Sequence, residues 1–431
     1  MLHRHGIGEN LKIRIQPVFI LGEEPEFRTP NGKSETVKDL SVQNQKIAEI
    51  MKKLRSEVED VAEVFPEVLV RQEADVQSLT RKPDLIIIYR LTSALWEILP
   101  KIAEPKIPII FFLGEGSLWH TFEALEYLQG VSHVMLCCDY KDVKEKIKAC
   151  KIKNQLKNSK ILAFVPDIPS YSKFLEARYF PPRIKEKLGF DIEIIGKEEI
   201  LEKYGRMDGK EIAREWMDNA EKVVEPTIED VENVAKLYLT LKDFMKEKNA
   251  TAIAISCSPR MAPLQSPCIA LSKLRDEGMP AACEVDLFSA ITMMMLQAVC
   301  GRPAFMGNVV DIESAVNSIA ISHCAMPFKM NGYTSQSYTL RMYHQYKFLG
   351  SVTAYTELKI GQKVTVARIG KELTTMVIMS GNTVDQKDGW DCRNTLIVKI
   401  NDLPAFIRST SGNHLCLVYG DYTVELQSLC Q

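Results

Sequence analysis

Five side chains in the second half of the chain have types and positions that could do chemistry. They are Glu284 and Asp286 in "PAACEVDLF", Asp311 in "NVVDIES", His323 in "AISHCAMP" and His414 in "SGNHLCLVY". Each borders an apolar run. A carboxylate in such a place is expensive to bury unless a cation or several hydrogen-bond donors meet it. Two carboxylates and one or two histidines, drawn from separate buried elements, match oxygen and nitrogen ligation of a divalent cation such as Mn²⁺. The ion would also let neighbouring carboxylates stay ionised together, where like-charge repulsion would otherwise raise one pKa.

Each of these residues has a plainer role beside the chemical one. Asp286 stands where a helix begins, and an N-terminal cap or first-turn acid accounts for it. Asp311 follows a short apolar run and precedes a helix-like stretch ending at His323, so it too fits a cap. A single His323 inside an apolar segment is an ordinary core histidine. His414 opens an apolar strand after a Gly-Asn turn, a place of close backbone approach. Sequence spacing alone does not choose between the two accounts.

The elements that must position these residues are legible as rhythm. "LKIRIQPVFIL" is strand-like, residues 37 to 63 are helix-like, and "DLIIIYRL", "IPIIFFLGEG" and "HVMLCCD" are short dense apolar runs, a βαβ alternation with a buried parallel sheet. The charged helix "YKDVKEKIKACKIKNQLKNS" closes a first domain, residues 1–157. A second alternation runs through "KILAFVPDIP", "FDIEIIGKEEILEKY", a helix near 227 to 248 and "ATAIAISCSP", giving a central domain, 158–345. After about residue 345 short β-rich runs separated by Gly, Asn and Asp predict a β domain, 346–431. The fold class expected is α/β, two Rossmann-like parallel-sheet domains followed by a C-terminal antiparallel β-barrel.

Composition excludes several partners. With 46% apolar and 26% charged residues and a formal charge of −2 over 431 residues, the chain has no basic footprint for nucleic acid or an anionic membrane. No apolar stretch reaches the roughly 20 residues of a membrane helix, and the start lacks a signal-peptide run, so a cytoplasmic protein is expected. Its 11 cysteines include no C-x-x-C pair, and several lie in apolar runs, as reduced core thiols do. "LGEGSLWH" has two glycines of a dinucleotide loop but Trp119 at the third position. Glu115 and His120 there remain only rim candidates at the carboxyl end of a strand.

"DEGMPAACEVDLFSAITMMML", "NVVDIESAVNSIAISHCAMP" and "GNHLCLVYGDY", in that order, resemble the L-fucose isomerase and L-arabinose isomerase superfamily, over roughly residues 250 to 431. The resemblance implies an Mn²⁺ ion, or another divalent cation such as Mg²⁺ or Co²⁺, held by Glu284, Asp311 and His414, with His323 as an additional ligand. It implies an aldose–ketose isomerase acting on a fucose- or arabinose-like monosaccharide, in a trimer or hexamer. Val285 departs from the glycine that often follows the first acid. "SCSPRMAPLQSPC" takes the place of a loop lining the sugar pocket, offering Cys257 and Arg260 to substrate, and "DGWDCRNTL" offers Trp390 and Arg393.

In the reaction so implied, the ion binds the carbonyl and adjacent hydroxyl oxygens, and Glu284 and Asp311 flank the reacting carbons of an ene-diol. Two other classes share these residues. A metal-dependent sugar or sugar-acid lyase or epimerase begins with the same proton abstraction, and a non-catalytic sugar-binding protein could use the same cleft.

Overall fold

The structure is a computed structural model that describes residues 12–29, 31–79, 82–92, 95–103, 107–116, 121–128, 133–332, 337–343, 351–389, 392–409 and 412–430. The chain divides into two compact units, Gly8–Gln155 and Leu156–Cys430.

The first unit is a parallel sheet of β1 (Ile13–Ile20), β2 (Ala62–Val64), β3 (Val68–Val70), β4 (Leu85–Arg90), β5 (Ile109–Phe112) and β6 (Val134–Cys137). Its order is β2-β1-β4-β5-β6, with β3 also pairing β1. Both faces of such a sheet are covered, which is why "LIIIYR" is buried at every position. Alternation sorts β1 between two cores: Ile13, Ile15 and Phe19 pack into one, Val18 and Ile20 into the other. Helix α1 (Leu40–Val58) begins at Asp39, whose carboxylate accepts the Ser41 and Val42 amides. It is shorter than the span 37 to 63 expected, because β2 takes over at Ala62.

The second unit contains a parallel sheet and a barrel. The sheet has order β8-β7-β9-β10, from β7 (Lys160–Val165), β8 (Asp191–Gly196), β9 (Ala252–Ile255) and β10 (Ala281–Cys283). Around it lie α2 (Ile168–Tyr179), α3 (Ile228–Glu247), α4 (Cys268–Asp276) and α5 (Leu287–Cys300). The barrel is antiparallel and closed, in the order β11-β12-β15-β14-β13-β16. Its strands are β11 (Phe305–Glu313), β12 (Ser318–His323), β13 (Lys363–Ile369), β14 (Met376–Lys387), β15 (Asn394–Ile400) and β16 (His414–Tyr419).

Two parallel sheets and a six-strand antiparallel barrel are therefore the architecture. The barrel nevertheless takes its first two strands from before residue 346, where the sequence reading began the β domain. The helix-like stretch expected between Asp311 and His323 is instead a β-hairpin. In "SIAISH" Ile319 and Ile321 alternate into the barrel core, and that period of two prevails once the strand has partners on both sides.

Helix α5 explains the long apolar segment after Glu284. Every residue from Leu287 to Leu296 is buried, the signature of a helix covered on all sides. It contacts β9 and β10 of the sheet and β13 and β16 of the barrel. Its N-terminus thus sets the end of β10 beside the mouth of the barrel.

Candidate metal centre

Glu284 sits on the turn between β10 and α5, and this turn is strained. Glu284 and Val285 have φ of 56° and 54°, left-handed values that a β-branched valine seldom adopts. The turn is held by Val285 N–H donating to the Ile255 carbonyl at 3.2 Å and Asp286 N–H to the Cys283 carbonyl at 3.1 Å. The position where the resemblance has glycine is thus one where glycine would be at ease.

Asp286 is the N-cap of α5, as its sequence position suggested, and it does more. Oδ1 accepts the Ser289 amide at 3.1 Å, and Oδ2 accepts the Ser289 hydroxyl at 3.0 Å, the Arg368 guanidinium at 3.0 Å and His414 Nδ1 at 2.9 Å. Asp286 and Arg368 are both buried, with 1% and 3% of their side chains exposed. Arg368 also donates to the Ser289 hydroxyl and, at 2.7 Å, to the His414 carbonyl. Gly412, at φ +85°, makes room for that guanidinium, since a Cβ there would lie 2.5 Å from one of its nitrogens. Burial alone would push the Asp286 carboxyl up, but His414 and Arg368 hold it well below the usual carboxylate range.

With Nδ1 fixed on Asp286, His414 turns Nε2 towards Glu284, whose carboxylate is 3.6 Å away, an ion-pair distance beyond hydrogen-bond range. Nε2 is buried and has no hydrogen-bond partner. His323 completes the cluster, its ring centroid 5.7 Å from that of His414. One ligand atom from each of Glu284, His323 and His414 lies within 4.8 Å of the other two. Donors sharing one ion at about 2.0–2.3 Å stand about 3–4.5 Å apart, so small side-chain adjustments suffice for the set to close on a cation. The fit is chemical too: a buried, partnerless imidazole nitrogen and a neutral second imidazole beside an ionised carboxylate are a nitrogen and oxygen donor set.

The two histidines are tuned in opposite directions. Burial, reinforced by the charges of His414 and Arg275, lowers His323 to about 3, so its ring is neutral. Arg275 acts from behind, donating to the carbonyls of Ala281 and Ala325, while His323 Nδ1 accepts the Ala325 amide at 3.3 Å. For His414, burial favours the neutral ring, but Asp286 and Glu284 outweigh it and raise the pKa above 6.5. Glu284 is in turn lowered, chiefly by His414. In chelated protein the signs give a definite expectation. The contribution of His323 is full above pH 6.5 and is lost as pH falls towards 3, whereas that of His414 is full below 6.5 and is lost as pH rises through its higher folded value. Melting temperature against pH should show H323Q removing part of the acid-side loss and H414Q part of the alkaline-side loss.

The remaining expected residues are scattered. Asp311 does not join the cluster. It lies exposed on β11, lining an open groove of about 350 Å³ outside the barrel with Glu313, Asp385, Lys387 and Lys399. A bulge between Val309 and Asp311 puts Asp311 opposite Ala320 on the outer face, and by then the strand has run past His414. Asn308, three residues and about 10 Å earlier along the strand, is what stands opposite His414. Arg393, offered to substrate by its sequence position, is buried in ion pairs with Glu225 at 3.1 Å and Asp388 at 3.4 Å. Cys257 is half-buried just past β9, its thiol against Cys283, the residue before Glu284. Arg260 is exposed at the carboxyl end of the same sheet, paired with Asp167 and 5.7 Å over the Tyr171 ring. Glu115 is half-buried after β5 in the first unit, and Trp390 and His120 lie outside the described residues.

Sequence reasoning missed Arg368 and the second role of Asp286. An arginine in the apolar strand "KVTVARI" was the available signal, since a buried guanidinium there must have an acid.

No family model matches this chain. It is similar to a sulfoquinovose isomerase of Clostridium sp. (strain MSTE9), 22% identical over 259 residues, which is 56% of this chain and 56% of that protein. It is also similar to a sulfoquinovose isomerase of Alkalicoccus urumqiensis, 30% identical over 97 residues, or 22% of each. The matches thus span about half of the first relative and about a fifth of the second, and both relatives are named as isomerases of one sugar.

Proposed function

We propose that this chain is a metal-dependent aldose–ketose isomerase. The observation that carries the reading is the convergence of Glu284, His323 and His414 on one point, with Asp286 and Arg368 fixing His414 from behind. The donor set favours Mn²⁺ or Co²⁺ over Mg²⁺, because two of its three members are imidazoles. When bound, the ion polarises the carbonyl and adjacent hydroxyl oxygens of the sugar and makes the C–H between them more acidic.

The chain's own residues do the rest. Glu284 is kept ionised by His414 and is 47% exposed, so it can take the proton from C2 and return it to C1. The hydroxyl proton passes from O2 to O1, and the products balance as an ene-diol on the way to the ketose. His323, held neutral, joins the set without adding charge. His414 is oriented through Nδ1, the usual way in which a carboxylate fixes a ligating imidazole. The names of the relatives favour a hexose bearing a sulfonate at C6 over the fucose- or arabinose-like sugar that the motifs alone suggest.

Proton NMR in D₂O with Mn²⁺, neutral aldoses and sulfoquinovose tests the reading. Ketose carrying deuterium at C1 is the expected product, from sulfoquinovose first. A chelator should abolish turnover and lower the melting temperature, while Asp311→Asn should leave both metal affinity and rate close to those of the unaltered chain. Epimerised or cleaved product would replace isomerisation by one of its chemical neighbours, and metal binding with no turnover of any sugar would remove the enzymatic reading.

A further inference from the structure

Arg275, near the end of α4, is 1% exposed, and its described contacts are two backbone carbonyls and a sulfur. None of them is a carboxylate, although a buried charge normally has one. Burial lowers its pKa only to about 10, so the guanidinium stays charged at neutral pH. Charge pairing therefore does not account for an arginine here.

Its three contacts lead to the three segments that carry the proposed ligands. Nε donates to the Ala281 carbonyl at 2.8 Å, on the edge strand β10, three residues before Glu284. Nη1 donates to the carbonyl of Ala325, two residues after His323, and the amide of Ala325 lies 3.3 Å from His323 Nδ1. Nη2 points to Met306 Sδ at 3.9 Å, and Met306 pairs with Cys416, two residues after His414 and on the same face of β16. No single hydrogen-bonded ladder joins these segments. Strand β10 belongs to the parallel sheet, while β12 and β16 belong to the barrel and are separated there by β11. A guanidinium can bridge them because its donors point in several fixed directions within one plane, whereas lysine has a single nitrogen.

We propose that Arg275 is a positioning residue that sets the segments bearing Glu284, His323 and His414 at the separation one divalent cation requires. The inference rests on the metal-site reading above. Groups that orient ligands from outside the coordination sphere typically cost about 10- to 100-fold in metal affinity or activity when lost. Asp286 and Arg368 fix a single ring, that of His414, and Arg275 fixes the spacing of the whole set.

The experiment is Arg275→Lys, which keeps the charge and loses the fork, with Arg275→Gln as a second variant. Both are expected to melt at a lower temperature, since carbonyls lose their donors, so binding is read on folded protein well below the transition. Calorimetric titration of the lysine variant with Mn²⁺ should show about a 10- to 100-fold weaker Kd. Its Co²⁺ complex should have a visible spectrum altered from that of the unaltered chain, because the ligands no longer meet the ion in the same geometry. A lower melting temperature with unchanged Mn²⁺ affinity and Co²⁺ spectrum would mark a purely structural arginine and overturn the proposal. Failure of both variants to fold, with or without Mn²⁺, would overturn it in the same way. If the unaltered chain itself binds neither ion, the metal-site reading fails and the positioning role goes with it.

Discussion

Replacing Asp286 by alanine is expected to be the most damaging single substitution in the second unit. Four hydrogen bonds converge on this carboxylate, and its removal strands the Arg368 guanidinium in a place that is 3% exposed. Breaking a buried pair from one side costs about 3–5 kcal/mol, because the remaining charge keeps its desolvation penalty without its partner. The helix loses its cap as well, a further contribution of about 1 kcal/mol. Denaturant unfolding of the chelated protein should show this loss directly. The double variant with Arg368→Met should then recover part of it, as the two residues form one network and their effects do not add. Mn²⁺ affinity should fall in the same variants, since His414 is no longer held through Nδ1.

Glu284→Gln is expected to have the largest effect on rate and almost none on the fold. The side chain is half exposed and makes no hydrogen bond among the described residues, so its charge contributes little to stability. Its chemistry is different. Glutamine neither takes a proton from carbon nor offers an anionic oxygen to a cation, and a positioned general base typically contributes about 10²- to 10⁴-fold. Exchange of the C1 deuteron into ketose, followed by NMR, separates proton abstraction from later steps. A variant retaining isomerisation within about tenfold would show that the base lies elsewhere, whatever became of the ion.

The sequence made the architecture readable where physical constraints are local. Runs such as "LIIIYR" and "IIFF" are buried at every position, as strands of a parallel sheet covered on both faces must be. Asp286 was identifiable as a cap because a cap is set by the four residues that follow it. Its second role was hidden, since His414 lies 128 residues away and no spacing rule connects them. Asp311 was misplaced because the strand position opposite His414 is Asn308, three residues earlier, and no local rule fixes which residue of a strand meets a partner more than a hundred positions away. Glu284 follows the end of a strand, His323 ends one and His414 begins one, and at these ends alternation does not have to be counted.

The strand that carries His414 is also the strand that closes the barrel. Residues Phe305 to Asn308 pair with Leu417 to His414, so the ring of strands is completed only when segments more than a hundred positions apart have met. Closing loops of that length is entropically demanding and comes late in folding, after local contacts have formed. No partly assembled chain therefore presents the full ligand set, and an ion can recognise only the finished barrel. Interactions absent from the folding transition state slow unfolding without hastening folding. A cation taken up by the proposed site would be a kinetic latch: the apo chain would assemble at the same pace, and the loaded one would outlast it.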